Sequence, residues 1–195
     1  VVYLDGEAWG TVPFAVVQRA GVRVGDDLDP EALARRTSEI EAECARERAL
    51  RLIAYRERSS TEVRARLEEE GYPADVVDAT VTDLVRQGIV DDERFAAALG
   101  HMMVAVRGYG RERARRELER HGLAGPAIEA MLEDLAPLAG EDDRASAVAR
   151  RIRRPSDDAE RLAARLVRRG FSSQTALRAA RRVARDASDS DENLL

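Results

Sequence analysis

The residues best placed to do chemistry in this chain are its arginines, and the chemistry they suit is binding. All 32 basic residues are arginine; lysine is absent. With the many Ala, Val and Gly, this is also the bias a GC-rich genome imposes. A guanidinium stays charged and offers a rigid fork of donors to phosphate or carboxylate. At 100° per residue, Arg161, Arg165 and Arg168 fall within about 60° of arc, away from Leu162, Ala163 and Leu166. Arg178, Arg181, Arg182 and Arg185 share a face opposite Ala176, Ala180 and Val183, and Arg113, Arg116 and Arg120 one opposite Ala114 and Leu118. The net charge of −5 conceals a split: residues 144–185 hold 13 arginines against Asp157, Asp158 and Glu160, a net of +10, whereas the remainder holds 19 against 34 acids. Two adjacent basic helices with few acids to neutralise them are expected to face a polyanion or an acidic partner. The ten arginines on these three faces are the candidate partner or DNA contacts.

Catalytic chemistry finds no support in the spacing. His101, His121 and Cys44 have no zinc-like arrangement and no fourth ligand, so no metal is expected. Asp91, Asp92 and Glu93 suit a helix start better than paired-acid catalysis. Ser59 and Ser60 have no histidine near them to act as base, and Met102-Met103 read as core. Gly108-Tyr109-Gly110 follows no strand, which makes it a turn and not a phosphate cradle. No cofactor and no enzyme activity are expected. One cysteine cannot form an internal disulfide, which fits a reducing cytoplasm. No signal-peptide pattern opens the sequence, and the longest apolar stretch, Phe95 to Val106, is too short to cross a bilayer. A cytoplasmic protein without membrane contact is expected.

The elements that must carry these faces repeat. Taking Gly71, Gly122 and Gly170 as anchors, 51 and 48 residues apart, a leucine stands four residues before each: Leu67, Leu118, Leu166. Eight before stand Val63, Ala114 and Leu162; one after, Tyr72, Leu123 and Phe171. Six after stand Val77, Ile128 and Ala176; thirteen after, Leu84, Leu135 and Val183. Apolar residues at i and i+4 mark the buried face of a short helix, and the glycine ends it in the left-handed conformation. A second helix follows, and Ala49–Tyr55, Phe95–Val106 and Ala145–Ile152 supply a preceding one. Three such units are expected to stack.

Start signals agree. Ser59 and Glu62 form a capping box, Asp157 and Glu160 have the same spacing, and Ser172 or Ser173 can cap the last helix. Asp91-Asp92 precede the helix holding Phe95, and Pro137 and Pro155 fall between helices. Asp29-Pro30-Glu31 opens a long polar helix. The first 25 residues, with β-formers around Asp5-Gly6, suggest a hairpin accessory to the fold. The expected organisation is a hairpin segment over 1–28, a linking helix over 29–45, repeats over 46–90, 91–137 and 141–185, and a disordered acidic tail over 186–195. The fold class is all-α: tandem three-helix repeats in a curved array behind a small hairpin.

Several stretches resemble the RecX family. They are Arg58-Ser59-Ser60-Thr61-Glu62-Val63 through Leu67 and Gly71-Tyr72, then the block Gln87 to Ala96 with Asp91, Asp92 and Phe95. Arg107-Gly108-Tyr109-Gly110 with Glu117-Leu118 and Gly122 is similar to the family's middle repeat, and Arg168-Arg169-Gly170-Phe171-Ser172 to its third. These motifs come in family order over about residues 46–185; the absent lysines and the acidic tail depart from the pattern. The resemblance implies a regulator that lodges in the groove of the RecA nucleoprotein filament and depresses its growth, ATP hydrolysis, strand exchange and co-protease activity. It implies RecA as partner, with single- or double-stranded DNA as a second candidate. A monomer is expected. The rival reading is a sequence-independent DNA-binding protein with no obligatory RecA partner.

Overall fold

In the computed structural model, residues 1–134 and 140–192 are described, with side chains through Asp186. Leu135 and Pro137 lie outside the described residues.

A short antiparallel hairpin opens the chain: β1 (Val2–Leu4) pairs with β2 (Glu7–Gly10). The two turn residues, Asp5 and Gly6, both have positive φ (50° and 86°), the twist that matches a tight hairpin. Helix α1 (Phe14–Ala20) ends at Gly21. Helix α2 (Pro30–Tyr55) starts where Asp29 accepts the Ala32 N–H at 2.8 Å, with proline in the first helical position. It is one helix of 26 residues, so the segment expected as a linker and the first helix of the first repeat are continuous. Then come α3 (Ser60–Glu69), α4 (Ala74–Arg86), α5 (Asp92–His101), α6 (Arg111–Arg120), α7 (Gly125–Asp134), α8 (Glu141–Ile152), α9 (Ala159–Arg168) and α10 (Ser173–Glu192). A π-helical turn, Met102–Val106, extends α5. Helix α10 runs through Glu192, past Arg185, where the sequence reading begins a disordered tail.

The three anchor glycines close α3, α6 and α9 with the same pair of bonds. Gly71, Gly122 and Gly170 have φ of 87°, 71° and 90°. Each donates its N–H three residues back, to Glu68, Glu119 and Val167. The next residue, Tyr72, Leu123 or Phe171, donates to the carbonyl of Leu67, Leu118 or Leu166. This double bond satisfies carbonyls a helix end would otherwise leave open, and only a left-handed residue places both donors.

Each cap sits in its own core. Val63, Leu67, Tyr72, Val77 and Leu84 pack with Ala45 and Ala49 of α2. Ala114, Leu118, Leu123 and Ile128 pack with Phe95 of α5. Leu162, Leu166, Phe171, Ala176 and Val183 pack with Ala145 and Ala149 of α8. The periodic positions read from the sequence are thus buried wherever they are described. Phe95 also meets the His121 ring edge-on, 5.7 Å between centroids, at the C-cap of α6. The chain divides into two compact units: Val1–Asp92, with the first core, and Glu93 onward, with the other two.

Three local expectations change. The N-terminal segment is not merely accessory, because Val16 is fully buried in the first core and a methyl on Gly71 would meet the Thr11 side chain at 2.8 Å. The cap of α9 is Asp158, which accepts the Arg161 N–H at 2.7 Å; Asp157 instead accepts the Arg154 N–H and pairs with Arg165. Ser59 caps α3 as read, accepting the Glu62 N–H, and Ser172 rather than Ser173 caps α10, accepting the Thr175 N–H. Asp92 does more than start α5: its carboxylate accepts from the Ser60 N–H at 2.7 Å and the Ser60 hydroxyl at 2.6 Å, both within the first unit.

Candidate anion-binding cleft

The second unit holds an open cleft of about 590 Å³ where the α5–α6 loop meets α8 and α9. The loop contributes Arg107 and Tyr109, and the first turn of α6 contributes Arg113. Arg151 and Arg154 come from the end of α8 and just beyond it. Arg165, Arg168 and Arg169 come from the last turn and cap of α9. Among the described residues no carboxylate lines it.

Glycines make this meeting possible. Gly110 donates its N–H to the Arg169 carbonyl at 2.8 Å, and Glu112 donates to the Gly170 carbonyl at 3.1 Å. A β-carbon on Gly110 would run into the backbone of Gly170 and Phe171, and one on Gly170 into the backbone of Arg113. Gly108, at φ 67°, leaves room for Val148 and Arg151. Gly170 therefore answers two demands, a left-handed cap and a close approach of chains.

Three of these arginines are held by main-chain carbonyls. Arg151 and Arg169 both donate to the Arg107 carbonyl, at 3.4 and 3.1 Å. Arg165, only 18% exposed, donates to the Ile152 carbonyl at 2.8 Å and pairs with Asp157 at 2.8 Å. Arg113 lies over the Tyr109 ring, 4.0 Å from its centroid, and reaches Glu117 at 3.7 Å. Arg107, Arg151, Arg154, Arg168 and Arg169 have no carboxylate partner among the described residues. A carbonyl orients a guanidinium without cancelling its charge, so the cleft keeps a concentrated positive field.

The ten arginines singled out by sequence do not form one surface. Arg113, Arg165 and Arg168 enter the cleft. Arg178, Arg181, Arg182 and Arg185 line a separate depression along α10. There the expected lack of neutralising acids fails: Arg178 grips Asp142 at 2.7–3.1 Å and Arg182 reaches Asp143 at 3.3 Å. Both acids lie in the first turn of α8, just outside the window 144–185. The Arg178 guanidinium holds the Asp142 carboxyl below its usual range. Arg116 and Arg120 bond on their own helix, to the Glu112 carbonyl and to Glu117, and Arg161 pairs with Asp158. Sequence reasoning missed Arg107, Arg151, Arg154 and Arg169. Their signal was the arginines inside the two glycine motifs and the run Arg150-Arg151-Ile152-Arg153-Arg154, which no single helical face brings together.

Groups suited to other chemistry are placed otherwise. Ser59 is fully buried, and burial pushes the Cys44 thiol above its usual value. Among the described residues no cluster of three or more His, Cys, Asp or Glu could hold a metal, and no helix is long and apolar enough to cross a membrane.

Glycine-capped three-helix units behind a short hairpin define a modular, mostly helical protein. Comparison with known proteins gives the family. The model for "RecX, first three-helix domain" matches residues 45–84 and that for "RecX, second three-helix domain" residues 91–132. The chain is 34% identical over 159 residues to the regulatory protein RecX of Mycobacterium sp. (strain KMS), covering 76% of this chain and 84% of that one. It is 35% identical over 158 residues to the regulatory protein RecX of Halorhodospira halophila, covering 77% and 92%. The chain belongs to the RecX family, whose members are regulatory proteins and not enzymes. In fold it matches the crystal structure of a regulatory protein RecX (TM-score 0.64, 24% identity, 89% of this chain and 88% of that one). It likewise matches RecX from Lactobacillus salivarius (TM-score 0.65, 15% identity, 74% and 97%).

Proposed function

We propose that this protein regulates the RecA recombinase, mainly as an inhibitor. It binds the RecA nucleoprotein filament in the cytoplasm and limits its growth, ATP hydrolysis, strand exchange and co-protease activity. The observation that carries this reading is family membership over three quarters of the chain. The arginines at Arg113, Arg116, Arg120, Arg161, Arg165, Arg168, Arg178, Arg181, Arg182 and Arg185 are the partner contacts. They suit acidic protein surface or phosphate, because both accept the guanidinium fork. The test is the ATPase of RecA on single-stranded DNA, titrated with this protein. Hydrolysis should fall as protein is added; a rate unchanged at saturating protein overturns the reading.

A second reading, a sequence-independent DNA-binding protein with no obligatory RecA partner, draws support from the five cleft arginines that lack carboxylate partners among the described residues. Binding to naked single-stranded DNA and to RecA-coated DNA, measured side by side, separates the two. Capture of naked DNA with no preference for the filament favours the second.

A further inference from the structure

We propose that the acidic end of α10 is a built-in competitor for the basic end of α8. It screens the arginines beside it and lowers the affinity of the second unit for a polyanion, which must displace the chain's own carboxylates to bind. The proposal rests on the reading that these arginines take an anion, and adds to it a brake carried by the same chain.

Three ion pairs join α8 to α10. Arg178 meets Asp142 at 2.7 Å, Arg182 meets Asp143 at 3.3 Å, and Arg150 meets Asp186 at 2.9 Å. Eight residues separate the first pair from the last on each helix, so the two helices run in the same direction. The polarity inverts along this ladder. In the first two pairs the arginine stands on α10 and the acid on α8; in the last the acid stands on α10. From there α8 closes on Arg150 and Arg151 and is followed by Arg153 and Arg154, while α10 continues through Asp189, Asp191 and Glu192. At about 1.5 Å per residue these three positions lie roughly 4.5, 7.5 and 9 Å along the axis past Asp186. That is within a Debye length of about 10 Å at 0.1 M salt. Arg151 and Arg154 both line the cleft.

The acids do not serve their own helix. A helix C-terminus carries partial negative charge and favours cations. Helix α8 follows that rule, with three acids in its first turn and two arginines in its last. Helix α10 breaks it: its last turn holds no basic residue, and four of its last seven residues are acidic. The arginines at the end of α8 offset that cost. The contact is also of a kind that a ligand can displace. Arg150 and Asp186 are each about half exposed, and exposed pairs are weak. The pair of Arg165 with Asp157, 18% and 8% exposed, is by contrast a fixed part of the fold. Being tethered, the carboxylates compete at the millimolar effective concentration of a short linkage.

The experiment compares the full-length chain with a variant carrying Asp186→Asn, Asp189→Asn, Asp191→Asn and Glu192→Gln. Binding is read by fluorescence anisotropy with a labelled oligo(dT) across a salt series, inhibition by titration of the RecA ATPase, and folding by circular dichroism. Near 0.1 M salt the variant should bind oligo(dT) about 5-fold tighter or more, and the gain should shrink steadily as salt rises. Half-inhibition of RecA should need correspondingly less protein. A second variant with only Asp189→Asn, Asp191→Asn and Glu192→Gln keeps the Arg150–Asp186 pair, and with it the seat of α10 on α8. It should still bind about 3-fold tighter or more. Glu7→Gln, Asp27→Asn, Glu39→Gln and Glu68→Gln remove the same charge from exposed positions of the first unit and should change binding by under about 2-fold. Equal gains from this control and from the α10 variant would mean net charge alone and overturn the proposal. So would neutralised chains that bind no tighter than the natural one. Failure of every chain to bind oligo(dT) or to slow RecA takes down the anion reading itself; equal binding by all of them takes down only the competitor.

Discussion

The two units of the molecule use the same side chain in opposite ways. In Val1–Asp92 arginines are tied to carboxylates: Arg46 to Asp83 at 2.6 Å, Arg48 to Glu70 at 2.5 Å, Arg56 to Glu62 at 3.0 Å, Arg19 to Glu47 at 3.0 Å. In the second unit five of the seven cleft arginines have no carboxylate partner among the described residues and two of these are held by a main-chain carbonyl; the α10 arginines fall between, with two paired and two without a carboxylate among the described residues. A carboxylate partner orients and neutralises; a carbonyl only orients. The first arrangement makes structure, and the second makes structure that still carries charge. An arginine count therefore says little about binding until the acceptors are known.

The sharpest test of the second arrangement is its glycine joint. Gly170→Val imposes both a left-handed penalty and a collision with the Arg113 backbone, and should cost about 2–4 kcal/mol. Gly88→Val, at φ 67° with open space where its β-carbon would stand, should cost only the conformational part, about 1–2 kcal/mol. Thermal melts read the difference. Equal losses would mean that the close approach at Gly170 imposes nothing.

Next in size is the carboxylate-paired side. Arg48→Ala leaves Glu70 half-buried without its main partner and should cost about 1–2 kcal/mol in urea unfolding at pH 7. The hydrogen bond from Arg48 is the first cause of the lowered Glu70 carboxyl, ahead of opposing burial. A carboxyl lowered by folding adds stability that is complete above its unfolded value, near 4.3, and is lost as pH falls through the lower folded one. The deficit of Glu70→Gln relative to wild type should accordingly close in acid. A deficit of the same size at pH 3 and pH 7 would show that the pair acts through packing.

Glu41 runs the other way. It is 9% exposed on α2, and burial, then the charge of Asp75, push its carboxyl up. A carboxyl raised by folding favours the protonated native state, so its effect on stability worsens as pH rises from the unfolded value through the folded one. Glu41→Gln should stabilise the protein at pH 7 by under about 1 kcal/mol and should gain nothing in acid. Destabilisation at neutral pH would mean that the carboxylate has a partner worth keeping.

The smallest expected effect belongs to the cleft itself. Arg154→Glu with Arg168→Glu should move stability by no more than about 0.5 kcal/mol, because neither side chain has an ion-pair partner among the described residues to lose. A loss comparable to that of Arg48→Ala would erase the contrast between the two units.

What the chain determines by itself is local. The i, i+4 apolar pairs before Gly71, Gly122 and Gly170 sufficed to place three helices, their caps and the buried residue after each, since a Schellman cap involves only six or so neighbouring residues. The same locality made Ser59 and Asp29 legible as caps, while Asp157 and Asp158 could not be ranked, both being carboxylates one residue apart. The continuity of α2 across the expected boundary at 45–46 was not legible, because apolar and charged residues mix along it without one clean stripe and only packing against α1, α3 and α4 selects its faces. Tertiary structure alone decided which charges remain available. Asp142 and Asp143 stand 36 and 39 residues from the arginines they neutralise, and Arg107 and Arg169, 62 apart, meet only because Gly110 and Gly170 let two backbones touch. Helical periodicity registers neighbours three and four residues away; the pairing of distant charges depends on how whole helices pack, which no spacing along one helix records.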